Sequence, residues 1–452
     1  MRTDAVVLPH DPRWNEARVA WNLAVDQQPA AVALPESAAD VIAVVRWARS
    51  RGLRVASQGT GHNAAAMGSL AHTVLLKTER MRSVEIDAER RIARVEAGVL
   101  WAEVSEAAAE HGLAALAGSS PDVGVVGYSL GGGISWLARR YGLAANSVTA
   151  VELVNADGEL VRADADNDSE LFWALRGGGG SFGVVTALEF QLYPIAEVYA
   201  GVLFFPIERG KEVLHAWRNW IEDVPDEVTS VGRFLQFPPI PDIPERLRGG
   251  SFVVVEATSL LDEAATDELL RPLRELGPAM DTFATIPITR LSSLHMDPEH
   301  PVPGAADGML LRDFPEEAID AIVAAAGAGS GSPLLSVEVR HLGGALGRRQ
   351  PGHGALATIE AGFAMFAVGV AMTPELAAAV RAHIEIVQAA LASWDAGRDY
   401  LNFTERRERG ERLFGGTTYR RLQTVKGKVD PADVFRSNHP VRLPGGRLRK
   451  AA

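Results

Sequence analysis

The residues best placed to do chemistry lie in one loop, Ser57-Gln58-Gly59-Thr60-Gly61-His62-Asn63-Ala64. It follows Leu53-Arg54-Val55-Ala56, a short apolar run that predicts a strand. Gly59 and Gly61 let backbone approach a ligand closely and present N–H groups to an anion. No lysine or arginine lies between Gln58 and Ala66, so an anion bound here is held mainly by backbone. The expected anion is a pyrophosphate, with His62 over whatever carries it. A plain turn beside a surface or core histidine is the competing reading. Gly59, Gly61 and Ala64 also fit G-x-G-x-x-A, the fingerprint of an NAD-type Rossmann unit, with Glu79 at about the right distance for a ribose. That unit needs a helix long enough to cross back over a sheet. Here Gly68 interrupts, and strand-like Thr73-Val74-Leu75-Leu76 follows soon after. Gly178, Gly180 and Gly183 repeat the pattern, which shows how permissive it is.

Other chemistries find little support. There is no cysteine, which excludes disulfides, thiolate metal sites and a cysteine nucleophile, and fits a cytoplasmic protein. His295 and His300, in His-Met-Asp-Pro-Glu-His, come nearest to a metal cluster but read as a solvated loop, so no metal is expected. No G-x-S-x-G nucleophile elbow occurs. Glu360 and His341 lie on or beside predicted strands and are candidate substrate contacts, with ordinary sheet residues as the alternative.

The elements that must position the loop are legible. Ser37 with Asp40 predicts a helix start, and Val41, Ile42, Val45 and Ala48 share one face before Gly52 ends it. A glycine-rich stretch runs from Gly118 to Gly133. Val148 to Val154 and Leu160 to Ala163 predict a hairpin around Asp157-Gly158. Asp168 to Arg176 predicts a capped helix, and Val184 to Tyr193 a strand. From about residue 198, strands and helices alternate as an antiparallel sheet backed by helices, an α+β lobe. Past residue 394, Tyr400 to Phe403 predicts a short strand, followed by two helices.

The net charge of −12 and pI near 5.5 argue against nucleic acid or an anionic membrane as partner. Basic residues are scattered apart from Arg447, Arg449 and Lys450. Met1-Arg2-Thr3-Asp4 shows no signal pattern. No apolar run approaches the roughly 18 residues that span a bilayer.

Several segments together resemble the FAD-linked oxidases of the vanillyl-alcohol-oxidase superfamily, in the berberine-bridge-enzyme-like and 6-hydroxy-D-nicotine-oxidase-like branch. The carrying stretches are Gly59-Thr60-Gly61-His62, Asp122 to Gly133, Leu171 to Val185, Tyr400-Leu401-Asn402-Phe403 and Asp430 to Phe435. The resemblance implies an α+β fold. A PCMH-type FAD-binding domain (1–197) would be joined by a C-terminal segment (395–452), with a substrate domain (198–394) over the flavin. It implies that Gln58, Gly59, Thr60, Gly61, His62 and Asn63 wrap the pyrophosphate, with one covalent link at His62. Ser119, Ser120, Asp122, Val123, Gly124, Gly127, Tyr128, Gly131 and Gly132 would line the flavin and ribityl. Gly183 and Val185 would lie near the adenosine, and Gly68, Asn402 and Asn438 are further expected contacts. Many bicovalent relatives have a cysteine where Ser120 stands, so a second link is impossible here. The implied activity is oxidation of a small-molecule alcohol or amine, with O₂ giving H₂O₂. Tyr400 is the candidate base, with Glu360 next and Arg398 a possible cationic neighbour of Tyr400. A flavin dehydrogenase and a non-catalytic flavin-binding protein are the alternatives.

Overall fold

The computed structural model describes residues 5–241 and 243–444. Met1-Arg2-Thr3-Asp4 and the basic residues Arg447, Arg449 and Lys450 lie outside the described residues. The fold is α+β, built on three sheets.

The first sheet carries the histidine loop. Its strand order is Val6–Val7, Ala31–Ala33, Thr73–Lys77, Arg54–Gln58, Phe435–Arg436. The Ser37 hydroxyl accepts the Asp40 N–H (3.3 Å) and starts helix Ala38–Ser50. Val41, Val44, Val45 and Ala48 are buried along one face of that helix. Gly52, at φ +66°, turns the chain into Arg54–Gln58. This strand pairs in parallel with Thr73–Lys77, and with Phe435–Arg436 from the far end of the chain.

The second sheet is antiparallel, in the order Val84–Asp87, Ile92–Glu96, Val184–Gln191, Val148–Val154, Leu160–Asp164. The hairpin expected around Asp157-Gly158 is present. Helix Ser169–Leu175 follows, but Asp168 does not cap it: the residue sits at φ +49° and its side chain makes no cap bond.

The third sheet has eight antiparallel strands, among them Glu197–Pro206, Val228–Gln236, Ser251–Ser259, Ser336–His341 and Phe363–Val370. Residues directly opposite in such a ladder share a face. Val255, Phe234, Val337, Val339, Phe363 and Met365 form one face and pack with Trp217, Phe314, Ile319 and Ile384 from the covering helices. The register puts Glu256 opposite Val231, Val231 opposite Arg340, and Arg233 opposite Glu338. Those charged side chains therefore share the other face.

The stretch Tyr400 to Phe403 corrects the expectation of a strand. Leu401–Phe403 is one turn of 3₁₀ helix. The Tyr400 carbonyl accepts both the Phe403 N–H (3.0 Å) and the Thr404 hydroxyl (2.9 Å), which curls the chain at this point.

The C-terminal strand is held by a buried ion pair. Lys426 Nζ lies 2.5 Å from the Asp430 carboxylate and donates to the Ser181 and Phe435 carbonyls. Asp430 in turn accepts the Val434 and Phe435 N–H groups. Removing one partner strands the other charge in the interior, which costs about 3–5 kcal/mol. Lys426→Met is therefore expected to lower the urea midpoint sharply and to release Phe435–Arg436 from Arg54–Gln58. Hydrogen exchange at Val55 and Phe435 checks the second effect.

Candidate active site

The loop after Arg54–Gln58 is unusual in what it leaves unpaired. Among the described residues, the backbone N–H groups of Gly59, Thr60, Gly61, His62 and Asn63 have no hydrogen-bond partner. Gly61 sits at φ +93°, and a Cβ there would meet Ala20 and Gln58 Nε2 at 2.9 Å. Buried side-chain atoms around the site lack hydrogen-bond partners too: Gln58 Nε2, Asn63 Oδ1 and Tyr128 Oη. Each unmade buried bond costs roughly 1–3 kcal/mol. So many together fit a polar ligand such as the pyrophosphate and ring edge of FAD.

His62 is fixed from several sides. Its ring stacks on Trp21 at 4.0 Å, and its Nδ1 lies 2.7 Å from the Thr60 hydroxyl. Its Nε2 is 3.4 Å from Asp122 Oδ1, and the Trp21 indole donates to the other oxygen of Asp122. Burial pushes the Asp122 carboxyl up, but His62 and Trp21 outweigh it and hold it below its ordinary value. The Gln27 side-chain amide donates a hydrogen bond to Gln58 Oε1 (2.9 Å). Neither Trp21 nor Gln27 lies in a recognisable pattern, so sequence reading had no signal for them.

Asn63 ties this loop to the 401–404 turn, donating to the Leu401 and Thr404 carbonyls at 3.2 Å each. Tyr400, at the head of that turn, is buried. Its hydroxyl accepts the Gly133 N–H (2.7 Å) and the Asn402 amide (3.2 Å), and it has no acceptor for its own proton among the described residues. Burial pushes the phenol above its ordinary value, while Gly133, Asn402 and Arg340 pull it back in part. Asn402 also donates to the Tyr128 carbonyl (3.0 Å). The glycines beneath are close-fitting: a Cβ on Gly131 would strike Asn402, and one on Gly132 would crowd Leu356 and Tyr400.

The charged face of the eight-stranded sheet converges on this turn. His295 bridges two carboxylates, with Nδ1 2.5 Å from Glu256 and Nε2 2.5 Å from Glu338. Carboxylates only accept, so both ring nitrogens donate and His295 is an imidazolium. Burial and Arg233 push its pKa down, but the two carboxylates outweigh them and raise it to about 9. Glu338 also accepts from Arg340 Nε (2.6 Å). The Arg340 guanidinium lies 5.0 Å over the Phe403 ring. Asp297 accepts from the Ser119 and Ser120 hydroxyls (3.3 and 2.6 Å).

Several expectations change. His295 is buried between glutamates instead of lying in a solvated loop, while His300 is exposed. His341 does not face Tyr400. Strand alternation sends it to the helix side, where it accepts from Arg139 (2.9 Å) and lies 5.9 Å from Phe363. Arg398 does not accompany Tyr400; it donates to the Glu411 carbonyl and packs at Gly415. Glu360 is exposed in the segment before Phe363–Val370 and pairs with nothing among the described residues. Val123 and Gly124 run beside Trp101 and Leu100. Gly127, in helix Val125–Leu130, has open space where a Cβ would stand. Gly68, at φ +65°, lies under the Arg407 guanidinium. Gly183 is pressed between Leu153 and Val154, and Val185 belongs to an apolar core. Asn438 bonds its own neighbour's N–H (3.0 Å).

Comparison with known proteins agrees with this geometry. Residues 29–164 match the FAD binding domain model, and residues 399–442 match the berberine and berberine-like model. The chain is 28% identical to (R)-6-hydroxynicotine oxidase of Paenarthrobacter nicotinovorans over 97% of both chains. It is also 28% identical to the FAD-linked oxidoreductase YgaK of Bacillus subtilis, over 96% of both. The structure of BBE-like 1 from Physcomitrella patens superposes with a TM-score of 0.84 at 21% identity, covering 97% of this chain and 96% of that one. No helix among the described residues is long and apolar enough to cross a membrane. The chain thus carries an FAD binding domain and a berberine-like C-terminal segment, and over nearly its whole length it is similar to FAD-linked oxidoreductases.

Proposed function

We propose that the chain is an FAD-dependent oxidase that takes a hydride from an alcohol or amine carbon of a small molecule and passes the electrons to O₂, giving H₂O₂. The observation that carries this reading is the Tyr400 hydroxyl, which is buried, accepts two hydrogen bonds and has no acceptor for its proton among the described residues. FAD, when bound, supplies the hydride acceptor. The chain must then remove a proton from the substrate oxygen or nitrogen. Once its own proton has been lost to solvent, Tyr400 takes the substrate proton at Oη, with the Gly133 N–H and the Asn402 amide stabilising the phenolate before the transfer. Arg340 favours the same charge from nearby. Gln58 to Asn63 hold the pyrophosphate. Ser119, Ser120, Asp122, Val123 and the glycines up to Gly132 line the ring. His62 carries the one covalent link, because no cysteine is present to make a second.

Removing the base is expected to slow anaerobic flavin reduction in Tyr400→Phe by about 10² to 10⁴. Because burial raises the phenol above its ordinary value, the wild-type rate should climb with pH toward the alkaline side. Stopped-flow absorbance should show that climb in the wild type and none in Tyr400→Phe. An unchanged rate and pH profile assigns the proton transfer elsewhere.

Acid precipitation tests the link at His62. Yellow colour should stay with the wild-type pellet and move to the supernatant in His62→Ala.

A small side chain beside the reactive flavin carbon admits O₂, and Val123 is the residue proposed to stand there. Val123→Leu should slow reoxidation of the reduced enzyme by O₂ and spare the reductive half-reaction. A wild type that is reduced by substrate yet forms no H₂O₂ is instead a dehydrogenase on the same fold.

A further inference from the structure

Arg233, Arg340 and His295 meet Glu256, Glu338 and Asp297 on the inner face of the eight-stranded sheet. Glu338 and Asp297 are satisfied within the cluster, whereas Arg233 Nε and Nη1 and Glu256 Oε1 are buried without a hydrogen-bond partner among the described residues. Glu338 is held by His295 Nε2 and Arg340 Nε. Glu256 is held by His295 Nδ1 and lies 3.5 Å from Arg233. Arg233 donates to the His295 carbonyl (3.0 Å), and Asp297 takes the two serine hydroxyls.

Arg340 differs. Its Nε is committed to Glu338, and Nη2 makes one long contact to Ser119 Oγ (3.4 Å). Its Nη1 has no hydrogen-bond partner among the described residues. The guanidinium lies over Phe403, and its charge acts on the Tyr400 and Tyr128 phenols. What remains unsatisfied on that side is donors: the Tyr128 hydroxyl is buried without a partner, and the Tyr400 proton has no acceptor. The nearby carboxylates, Glu338 and Asp297, are engaged.

We propose that Arg340 is the substrate anchor, and that the substrate carries a carboxylate within a few bonds of the carbon to be oxidised. This rests on the reading of Tyr400 as the residue at that carbon. A guanidinium edge offers two parallel N–H donors that match the two oxygens of a carboxylate. Glu338 fixes the orientation of that edge, and His295, clamped between two glutamates, fixes Glu338. An anchor oriented in advance loses little freedom when the ligand arrives. The cluster is balanced with His295 protonated, three cations against three anions, so an incoming monoanion meets no local negative excess. Glu338 and His295 are positioning residues, and Arg340 is the contact.

The test uses the FAD-loaded protein and two simple probes, benzoate and its neutral analogue benzamide, followed by the visible flavin absorption. Benzoate should shift the band saturably and bind at least about tenfold more tightly than benzamide. Arg340→Met should lose at least about tenfold of the benzoate affinity and leave benzamide unchanged, while Arg340→Lys should keep part of the preference. Glu338→Gln should weaken benzoate alone, at unchanged FAD content, which a merely structural role would not do. Equal binding of the two probes by the wild type, no response to benzoate, or benzoate affinity indifferent to Arg340→Met overturns the anchor. If Arg340→Met loses its FAD, the wild-type preference and Glu338→Gln decide. If Tyr400→Phe still slows flavin reduction while benzoate and benzamide bind alike, the oxidase reading stands and the anchor falls.

Discussion

Backbone donors drawn partly out of solvent need partners, and this chain leaves a run of them open at a half-buried loop. Among the described residues, Gly59 to Asn63 present N–H groups with no partner, and Gln58 Nε2 and Asn63 Oδ1 beside them are unpaired too. A folded chain tolerates such a debt only where a ligand discharges it. The neighbouring architecture is arranged around that open run. The parallel strands deliver it, Trp21 and Asp122 orient its histidine, and Asn63 couples it to the turn that bears Tyr400.

The inner face of the large sheet obeys a different constraint. Hydrophobic residues of similar volume would be as stable as a buried ion cluster, or more so. The charges at Glu256, Arg233, Glu338 and Arg340 therefore do little for stability and much for geometry. Each ion restricts the next, and the chain of restrictions ends at one guanidinium beside a phenol.

What could be read from the sequence divides along a physical line. Glycine spacing is local chemistry, so the loop at Gly59 to His62 and the stretch to Gly133 were visible, and the family resemblance followed from them. The helix cap at Ser37 and the Asp157-Gly158 hairpin were visible for the same reason. Strand register is not local. Whether Glu338 meets His295 depends on pairings between strands far apart in sequence, and His295 looked like any loop histidine. A signal existed even so: Glu338-Val339-Arg340 alternates charge with apolar residues, and Glu256 interrupts a run of valines. Charges at period two in otherwise buried strands mark an occupied inner face. The 400–403 segment misled because Tyr and Phe favour strands, while the curl comes from the Phe403 N–H and the Thr404 hydroxyl meeting the Tyr400 carbonyl.

One consequence concerns synthesis. The strand that delivers the histidine loop has the far end of the chain as one of its two neighbours in the sheet. While the ribosome is still making the middle of the protein, that edge has no partner, and open strand edges invite pairing with other chains. The cradle is complete only after Lys426, Asp430 and Phe435 have emerged. Cofactor loading on the finished cradle is thereby deferred until those residues have been made, and a nascent chain stalled before them would hold its glycine loop on an unfinished sheet.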